Sequence, residues 1–380
     1  MENFIFQNPV KLIFGKDTIS KIGKEIKSFG INKILLLAGS GSIKKNDVFN
    51  TACKSLKQEG IEWSELWGVR SNPSLTHALQ GIEIIKKNNL EAVLAIGGGS
   101  VIDEAKTIAA GFFNDDLWLA FEKRQSIQKA LPVFSILTLS GTGSEMNSNA
   151  VITNDETLQK WPVGGPALYP KVSIVDPSAQ MSLPWEQTVN GAVDAISHVM
   201  EYYFLAKDEE ITMSIDMSLI STIIWCVDNL KNKPDEYNFR ANLAWSATLA
   251  LNGISGAGLK GGDWAVHQIE HGLSALNNKI AHGAGLAVVY PAWIKYMHHH
   301  NPDTFYRWAV SVWNETRIDN AIEQMKEKYQ QWGAPVSLHE LGFAEEDIPA
   351  IAENVSQRGD IGVLAKLNKD DIINILKISY

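Results

Sequence analysis

The chain has 380 residues, of which 45% are hydrophobic and 20% charged, and its formal net charge at pH 7 is −9. The acidic balance argues against nucleic acid as a partner, because phosphate binding needs a basic footprint. No stretch approaches the roughly 20 apolar residues of a membrane span. The two cysteines, Cys53 and Cys226, are far apart and indicate a reducing compartment. We therefore expect a cytoplasmic globular protein with no membrane partner and, at this length, with two domains.

The first half of the chain alternates short apolar runs with amphipathic segments. The segment Phe4–Phe14 alternates enough to form one or two edge strands. Further along the chain, the predicted strands are Lys33–Gly39, Ala92–Ile96, Pro132–Leu139 and Val172–Val175, and the predicted helices between them are Asp47–Glu59 and Val101–Ala110. Continuous apolar strands separated by helices indicate a parallel sheet. The expected fold of residues 1–182 is therefore an α/β domain.

The second half of the chain is dominated by helical periodicity. The predicted helices are Gln187–Phe204, Met213–Asn229, Glu236–Leu251, Asp263–Leu276 and Thr316–Trp332. Beta-branched runs become rare after Leu183, which places a domain boundary near residue 182. Residues 183–380 are accordingly predicted to form an all-helical domain.

A glycine-rich turn lies between a predicted strand and a predicted helix. Gly97, Gly98 and Gly99 precede Ser100, and this arrangement lets a backbone approach a pyrophosphate at a helix N-terminus. Asp103 falls in the first helical turn, where its carboxylate would cap the helix or reach a ribose hydroxyl. The alternative is a glycine-rich turn that binds nothing. We interpret this turn as a candidate dinucleotide site.

Two more strand ends carry small polar residues. The turn Leu139–Glu145 suits a surface against a flat ring or a phosphate, and a plain capped loop is its alternative. The first predicted strand ends near Gly39, Ser40 and Ser42, with two lysines following. NAD enzymes usually place a carboxylate at this point to bind the ribose 2′-hydroxyl. Its absence favours NADP(H) over NAD(H), and a flexible loop with solvated lysines is the alternative.

Histidines and one aspartate recur at helical spacing in the second half. Asp194 and His198 lie four residues apart and share a helix face. His267 and His271 repeat this spacing, and His282 follows in the glycine-containing string AHGAGLA. Any one of these residues is commonly a satisfied surface or core residue. One carboxylate and several imidazoles converging between helices would bind Fe²⁺, Zn²⁺ or a similar divalent ion.

Taken together, these motifs resemble the iron-containing (group III) alcohol dehydrogenase family, and within it the bacterial butanol dehydrogenases. The resemblance covers essentially the whole chain. It is carried by GGGSVIDEAK at 97–106, TLSGTGSE at 138–145, the Asp194/His198 helix, the His267/His271 pair and AHGAGLA, with Asn72-Pro73 among the minor matches.

The resemblance implies a Rossmann-like first domain, a helical metal-binding second domain, and an active site in the cleft between them. The implied metal ligands are Asp194, His198, His267 and His282, with Fe²⁺ or Zn²⁺ as the ion, and His271 is expected near the metal as a proton relay. The implied cofactor contacts beyond the first strand are Asn72, Gly97, Gly98, Gly99, Ser100, Asp103, Thr138, Leu139, Thr142 and Lys160. Gly39 stands where NAD-preferring relatives carry an aspartate, which again favours NADP(H).

The expected activity is hydride transfer between a nicotinamide cofactor and a short-chain primary alcohol or aldehyde, such as butanol or butanal, in a homodimer. The chain departs from the family pattern at two places: Gly141 replaces a common alanine, and the loop Trp161–Tyr169 is unlike its counterparts. The alternatives are a metal-dependent lyase or hydrolase related to the dehydroquinate synthases, and a cofactor-binding protein without catalysis.

Overall fold

The computed structural model describes residues 1–380 and contains a six-stranded sheet, a two-stranded sheet and 14 helices. The eight strands are β1 Lys11–Phe14, β2 Lys33–Ala38, β3 Glu62–Trp67, β4 Ala92–Gly97, β5 Val133–Leu137, β6 Asn149–Asn154, β7 Gln159–Gly164 and β8 Val172–Val175. The six-stranded sheet has the order β1-β8-β5-β4-β2-β3, and every neighbouring pair in it is parallel. The predicted parallel sheet is confirmed.

Six helices accompany the strands and eight form the remainder of the fold. The first group is α1 Ile22–Lys27, α2 Val48–Gln58, α3 Leu75–Asn88, α4 Gly99–Gly111, α5 Leu117–Glu122 and α8 Tyr237–Ala250. The second group is α6 Trp185–Tyr203, α7 Glu210–Leu230, α9 Ala265–Leu276, α10 His282–Met297, α11 Pro302–Trp313, α12 Ile318–Trp332, α13 Ile348–Ser356 and α14 Lys369–Ile378. The predicted α/β domain and helical domain are both present.

The chain divides into two compact units, each with its own set of contacts. The first, which we call the sheet unit, contains residues 8–183 and 234–248. The second, which we call the helical unit, contains residues 1–7, 184–233 and 249–380. The single domain boundary near residue 182 stays a prediction. The two short segments 1–7 and 234–248 group differently from that division.

Local contacts explain both short segments. In the helical unit, the N-terminal ammonium of Met1 lies 3.2 Å from a carboxylate oxygen of Glu209. In the sheet unit, the hydroxyl of Thr248 donates to the carboxylate of Glu145 at 2.6 Å, and the ring of Trp245 packs edge-on against Phe14. These contacts join residues far apart in sequence, so no local pattern could have predicted them.

The core of the sheet unit lies on both faces of the parallel sheet. β4, β5 and β8 are buried at every position, as their continuous apolar sequences predict. Only β1 forms within the predicted edge segment Phe4–Phe14, and residues 4–10 adopt no regular structure. β6 and β7 form an antiparallel hairpin that the sequence patterns did not predict.

One helix corrects the expectation that no stretch approaches the length of a membrane span. α7 has 21 residues with a mean hydropathy of 1.4, enough by length and composition to cross a bilayer, and 44% of its apolar window is buried within the chain. Asp216, in the middle of α7, is fully buried. The core helix of a globular domain meets the same criteria, since it is apolar around most of its circumference.

Candidate functional site

Three helices of the helical unit bring the predicted metal ligands together. α6 carries Asp194 and His198 one turn apart on one face, as the four-residue spacing predicts. α9 contributes His267, and His282 is the first residue of α10. These four residues come from separate parts of the sequence and meet around a single carboxylate.

The three imidazoles converge on one oxygen atom. Oδ1 of Asp194 lies 3.6 Å from Nε2 of His198, 3.8 Å from Nε2 of His267 and 3.5 Å from Nε2 of His282. Two ligand atoms that each lie about 2.1 Å from a tetrahedral metal ion are about 3.4 Å apart. The observed spacings from Asp194 therefore fit a shared divalent ion better than direct hydrogen bonds, which need shorter distances. Ligand atoms of Asp194, His267 and His282 all lie within 4.8 Å of one another, and His198 joins this group through its distance to Asp194.

The chemistry of these atoms also fits a cation. Oδ1 of Asp194 and Nε2 of His267 are both buried and have no hydrogen-bond partner in the protein. Buried polar atoms without a partner are costly, and a bound metal ion would satisfy both at once. The side chain of His282 is 23% exposed, whereas those of the other three are 5–7% exposed. Access to the cluster is therefore from the His282 side.

The charges of the cluster are mutually stabilising. Burial opposes ionisation of Asp194, but the imidazoles of His198, His267 and His282 outweigh it and lower the pKa of this carboxyl to about 2. Burial likewise opposes protonation of His267, yet the carboxylates of Asp194 and Glu201 raise the pKa of its imidazole to about 9. Asp194 is thus an anion at neutral pH, as a metal ligand must be, whereas His267 must release a proton when its Nε2 atom binds a cation.

Glycines allow α10 to approach the other two helices closely. A Cβ added at Gly283 would lie 2.6 Å from the carbonyl carbon of Asn190 on α6. One added at Gly285 would lie 2.7 Å from Cγ of Glu270 on α9. Both distances are far below normal carbon contacts. The glycines of AHGAGLA therefore allow the backbone to carry His282 into the cluster.

His271 lies beside the cluster but outside the group around Asp194. Its side chain is buried, and its ring centroid is 5.5 Å from that of His282. A ligand atom of His271 lies within 4.8 Å of atoms of both Glu270 and His282. The structure therefore brings His271 near the predicted metal ligands, as its predicted role requires.

Two glutamates of this region were missed by the sequence analysis. Glu201 on α6 and Glu270 on α9 are completely buried. Oε1 of Glu201 lies 2.7 Å from Nδ1 of His267, and Oε2 of Glu270 contacts Nδ1 of His282. The helical spacing was a signal for Glu201, which follows His198 by three residues.

In the sheet unit, the two predicted cofactor turns are in contact with each other. The turn from Gly97 to Ser100 joins β4 to α4, and a Cβ added at Gly98 would lie 3.2 Å from Cβ of Leu139. A Cβ added at Gly99 would lie 2.7 Å from Cβ of Thr142. Gly99 therefore permits the close packing of the two turns. This is a second reason for glycine here, beside the close approach of the backbone to a pyrophosphate.

Asp103 does not cap α4, which corrects one of the two interpretations of this residue. The N-cap position is Gly98, with no side-chain cap. Instead, Oδ1 of Asp103 accepts a hydrogen bond from Ser144 at 2.6 Å, and Oδ2 accepts one from the backbone N–H of Val151 at 3.1 Å. Asp103 thus links α4 to the segment that follows the second turn.

Lys106, one turn further along α4, makes a second link to the same segment. Its buried ammonium donates to Ser144 at 2.8 Å, to the carbonyl of Asn147 at 3.0 Å and to that of Asn149 at 2.8 Å. Burial lowers the pKa of Lys106 to about 8, against the opposing effect of Asp103 and Glu145. α4 therefore carries an internal polar network directly beneath the two turns.

Thr138 and Gly39 follow the carboxyl ends of β5 and β2, which are parallel neighbours of β4, and the N–H of Thr138 donates to the carbonyl of Gly97 at 2.9 Å. Thr138 directly follows β5 and is buried. Lys160 and Asn72 contact each other, with Nζ donating to the side-chain oxygen at 2.8 Å. Gly39, Ser40 and Ser42 follow β2, and both serines are exposed. The part played by each residue in binding stays a prediction.

Two family models match the chain and identify its class. The family model for iron-containing alcohol dehydrogenase matches residues 9–177, and that for the Fe-containing alcohol dehydrogenase family, C-terminal, matches residues 188–380. The chain belongs to the iron-containing alcohol dehydrogenase family, which confirms the resemblance.

Individual members of this family are similar to the chain over nearly its full length. The chain is 39% identical to NADH-dependent butanol dehydrogenase A of Clostridium acetobutylicum, with all of both chains covered. It is 32% identical to the NADPH-dependent aldehyde reductase YqhD of Escherichia coli, with 94% of each covered. The crystal structure of NADH-dependent butanol dehydrogenase A from Thermotoga maritima is 50% identical and superposes with a TM-score of 0.97, covering 100% of this chain and 99% of that one.

Proposed function

We propose that the protein is a metal-dependent alcohol dehydrogenase and aldehyde reductase that transfers hydride between a nicotinamide dinucleotide and a small primary alcohol or aldehyde. The observation that carries this proposal is the convergence of three imidazole Nε2 atoms on Oδ1 of Asp194 at 3.5–3.8 Å. Membership of the iron-containing alcohol dehydrogenase family supports the reaction class.

The residues that would hold the ion are Asp194, His198, His267 and His282. When bound, a metal ion supplies Lewis acidity to the substrate oxygen and the nicotinamide supplies or accepts hydride. One carboxylate and three imidazoles suit Fe²⁺ or Zn²⁺. We favour Fe²⁺ because a catalytic site needs an additional position for substrate, whereas four protein ligands around zinc commonly close the site.

His271 is our candidate for moving the proton that accompanies hydride transfer. Its ring lies beside His282, the most exposed member of the cluster, and an imidazole titrates near neutral pH. The residue would accept a proton from the alcohol during oxidation and return one during aldehyde reduction. This role predicts that a His271→Gln variant retains metal but loses the pH dependence of kcat.

We propose that the preferred cofactor is NADP(H). Gly39 and the exposed Ser40 and Ser42 follow β2 and leave no carboxylate to bind a ribose 2′-hydroxyl. Trp67 pairs in register with Ala38 at the end of β2, and Nζ of Lys44 lies 3.9 Å from the centre of a Trp67 ring. This ammonium would attract a 2′-phosphate. The names of the relatives include both NADH and NADPH, so kinetics must decide.

The turns around Gly97–Ser100 and Thr138–Thr142 would bind the rest of the dinucleotide, with Asn72, Asp103 and Lys160 at its border. The N-terminus of α4 offers backbone N–H groups to a pyrophosphate. Glycine at positions 97 to 99 lets this turn pack against Val101, Leu139 and Thr142, whose side chains would lie 2.1–3.2 Å from an added Cβ. Fluorescence titration with nucleotide measures this directly.

The remaining proposals concern substrate, assembly and location. The names of the butanol dehydrogenases support a short-chain primary alcohol, such as butanol. Exposed hydrophobic side chains at Phe4, Ile5 and Phe6 support a homodimer, since large apolar residues favour interfaces. We propose a cytoplasmic location. Light scattering of the purified protein tests the dimer.

One experiment tests the central proposal. The protein is purified anaerobically, its metal content is measured, and butanal reduction with NADPH and with NADH is followed before and after chelation. We expect one divalent ion per chain and activity that disappears on chelation and returns with Fe²⁺. The His267→Ala variant should lose both metal and turnover. Full activity in metal-free protein would contradict the proposal.

A further inference from the structure

Two fully buried carboxylates lie behind two of the proposed metal ligands. Glu201 belongs to α6 and Glu270 to α9, and neither is in the proposed ligand set. Each contacts the Nδ1 atom of one histidine, on the far side of the ring from Asp194. Buried carboxylates are rare unless they are paired. Their placement behind two rings of the same cluster calls for a physical explanation.

Glu201 fixes both the ring of His267 and the helix that carries it. Its Oε1 lies 2.7 Å from Nδ1 of His267 and accepts the backbone N–H of the same residue at 3.2 Å. Its Oε2 accepts the N–H of Trp264 at 2.5 Å. Trp264 has a positive φ of 61° and precedes the first residue of α9. One carboxylate from α6 therefore takes the place of an N-cap for α9.

Glu270 fixes the ring of His282 in the same way. Its Oε2 contacts Nδ1 of His282, which begins α10. The missing side chain of Gly285 leaves the space that Glu270 occupies, since a Cβ there would lie 2.7 Å from its Cγ. The glycine of α10 and the carboxylate of α9 are therefore complementary in shape.

We propose that Glu201 and Glu270 are positioning residues for the metal centre. Each carboxylate accepts the Nδ1 proton of its histidine, which fixes the tautomer with the lone pair on Nε2 and directs that atom toward Oδ1 of Asp194. The negative charge also makes each imidazole a stronger donor to a cation. This inference rests on the proposed metal centre and adds to it the residues that determine its affinity.

A second cation site is the competing explanation for one of the two glutamates. Ligand atoms of Glu270, His271 and His282 lie within 4.8 Å of one another and could in principle hold an ion. The contact between Glu270 and Nδ1 of His282 favours a shared proton at that position instead. The two explanations differ in the number of ions bound, so metal stoichiometry separates them.

The test is metal affinity in full-length variants, measured by chelator competition for Co²⁺ and Zn²⁺ under anaerobic conditions. Replacing a carboxylate that orients a metal-bound histidine typically costs about 10–100-fold in affinity. We expect Glu201→Gln and Glu270→Gln to weaken binding by about that factor, and Glu270→Ala to weaken it further because no acceptor remains. Thermal unfolding of the metal-free proteins is recorded in parallel, so that a folding defect is recognised.

The chain offers a matched control in Glu104. It is a fully buried glutamate of the sheet unit that contacts Nδ1 of His77, the same pairing in a place without metal ligands. Glu104→Gln should alter stability but leave metal affinity at the wild-type value.

Three outcomes decide the matter. Affinities of Glu201→Gln and Glu270→Gln equal to that of Glu104→Gln would overturn the proposal while leaving the metal centre intact. Two ions per wild-type chain, with one lost in Glu270→Gln, would overturn it for Glu270 in favour of a second site. A wild-type protein that binds no divalent ion would instead remove the proposed function itself. If Glu201→Gln fails to fold without metal, the Glu270 variants carry the test.

Discussion

The contact between the two turns proposed to bind the cofactor gives the sharpest mutational prediction. In a Gly99→Ala variant the new Cβ would lie 2.7 Å from Cβ of Thr142. Carbon atoms in contact normally lie about 3.5–4.0 Å apart, so the turns must separate by about 1 Å. Rotating the Thr142 side chain cannot relieve this clash, because its Cβ is fixed by the backbone. Such overpacking typically costs about 1–3 kcal/mol.

The effect should appear in cofactor binding as well as in stability. A displacement of about 1 Å in a site that positions reactants can cost about 100-fold. We expect the dissociation constant for NADPH in Gly99→Ala to rise by about 10–100-fold, measured by quenching of tryptophan fluorescence. Gly98→Ala is the matched control, because its new Cβ would meet Cβ of Leu139 at 3.2 Å and needs a shift of only a few tenths of an ångström.

A second substitution makes the reasoning refutable. Thr142→Gly removes every side-chain atom that the new methyl group would meet, at the cost of the hydrogen bond from the N–H of Ser144 to the threonine hydroxyl. Neighbouring residues that clash show coupling energies of about 0.5–3 kcal/mol in a double-mutant cycle. Gly99→Ala should therefore weaken NADPH binding less in a Thr142→Gly background than in the wild-type protein. An equal loss in both backgrounds, or Gly99→Ala behaving like Gly98→Ala, would show that the contact does not position the turns.

Three further substitutions address nucleotide choice, pH dependence and the network beneath the turns. Gly39→Asp should raise the ratio of kcat/KM with NADH to that with NADPH by about tenfold or more, because a like charge about 4 Å from a 2′-phosphate costs about 1–4 kcal/mol. The new side chain has room, since the atom nearest to its Cβ is the carbonyl oxygen of Val69 at 3.4 Å. An unchanged ratio would remove the NADP(H) proposal. Burial raises the pKa of Asp216 from 3.8 to about 8, so the folded chain holds an extra proton between these values and loses stability as pH rises through them. Asp216→Asn should flatten this dependence in urea unfolding from pH 4 to pH 8, and identical slopes in the two proteins would contradict the assignment. Lys106→Met leaves Asp103 without its buried cation and two carbonyls without a donor. It should lower the free energy of unfolding by about 3–5 kcal/mol and weaken NADPH binding. An unaltered midpoint of urea unfolding would show that the network contributes little.

Continuous apolar runs made the central strands predictable. β4 and β8 lie within one residue of their predicted bounds because both are buried on each face. The hairpin of β6 and β7 was not predicted, since its strands are only partly buried and Pro162 breaks the strand pattern. The order of strands in the sheet depends on which strands pair. That information lies in contacts between distant residues and not in any local pattern.

Proline also explains why α10 is among the seven helices that were not predicted. α10 continues through Pro291, although proline inside a helix removes a hydrogen bond and normally ends it. The residues around it, including Val289, Trp293 and Ile294, are fully buried. Tertiary packing of these side chains outweighs the local cost. His282 was therefore predicted as a metal ligand but not as the first residue of a helix.

The proposed metal ligands and the glutamates that contact them differ in how far the sequence can reveal them. Asp194 and His198 are one turn apart, so helical spacing alone places them side by side. Glu201 follows His198 and Glu270 follows His267 by three residues, so helical spacing places each glutamate beside a proposed ligand. Each glutamate nevertheless contacts a histidine on another helix, which is recognisable only once the helices are packed. The contact of Glu270 also depends on Gly285 having no side chain. Substitutions such as Gly285→Ala should therefore weaken metal binding without touching any ligand.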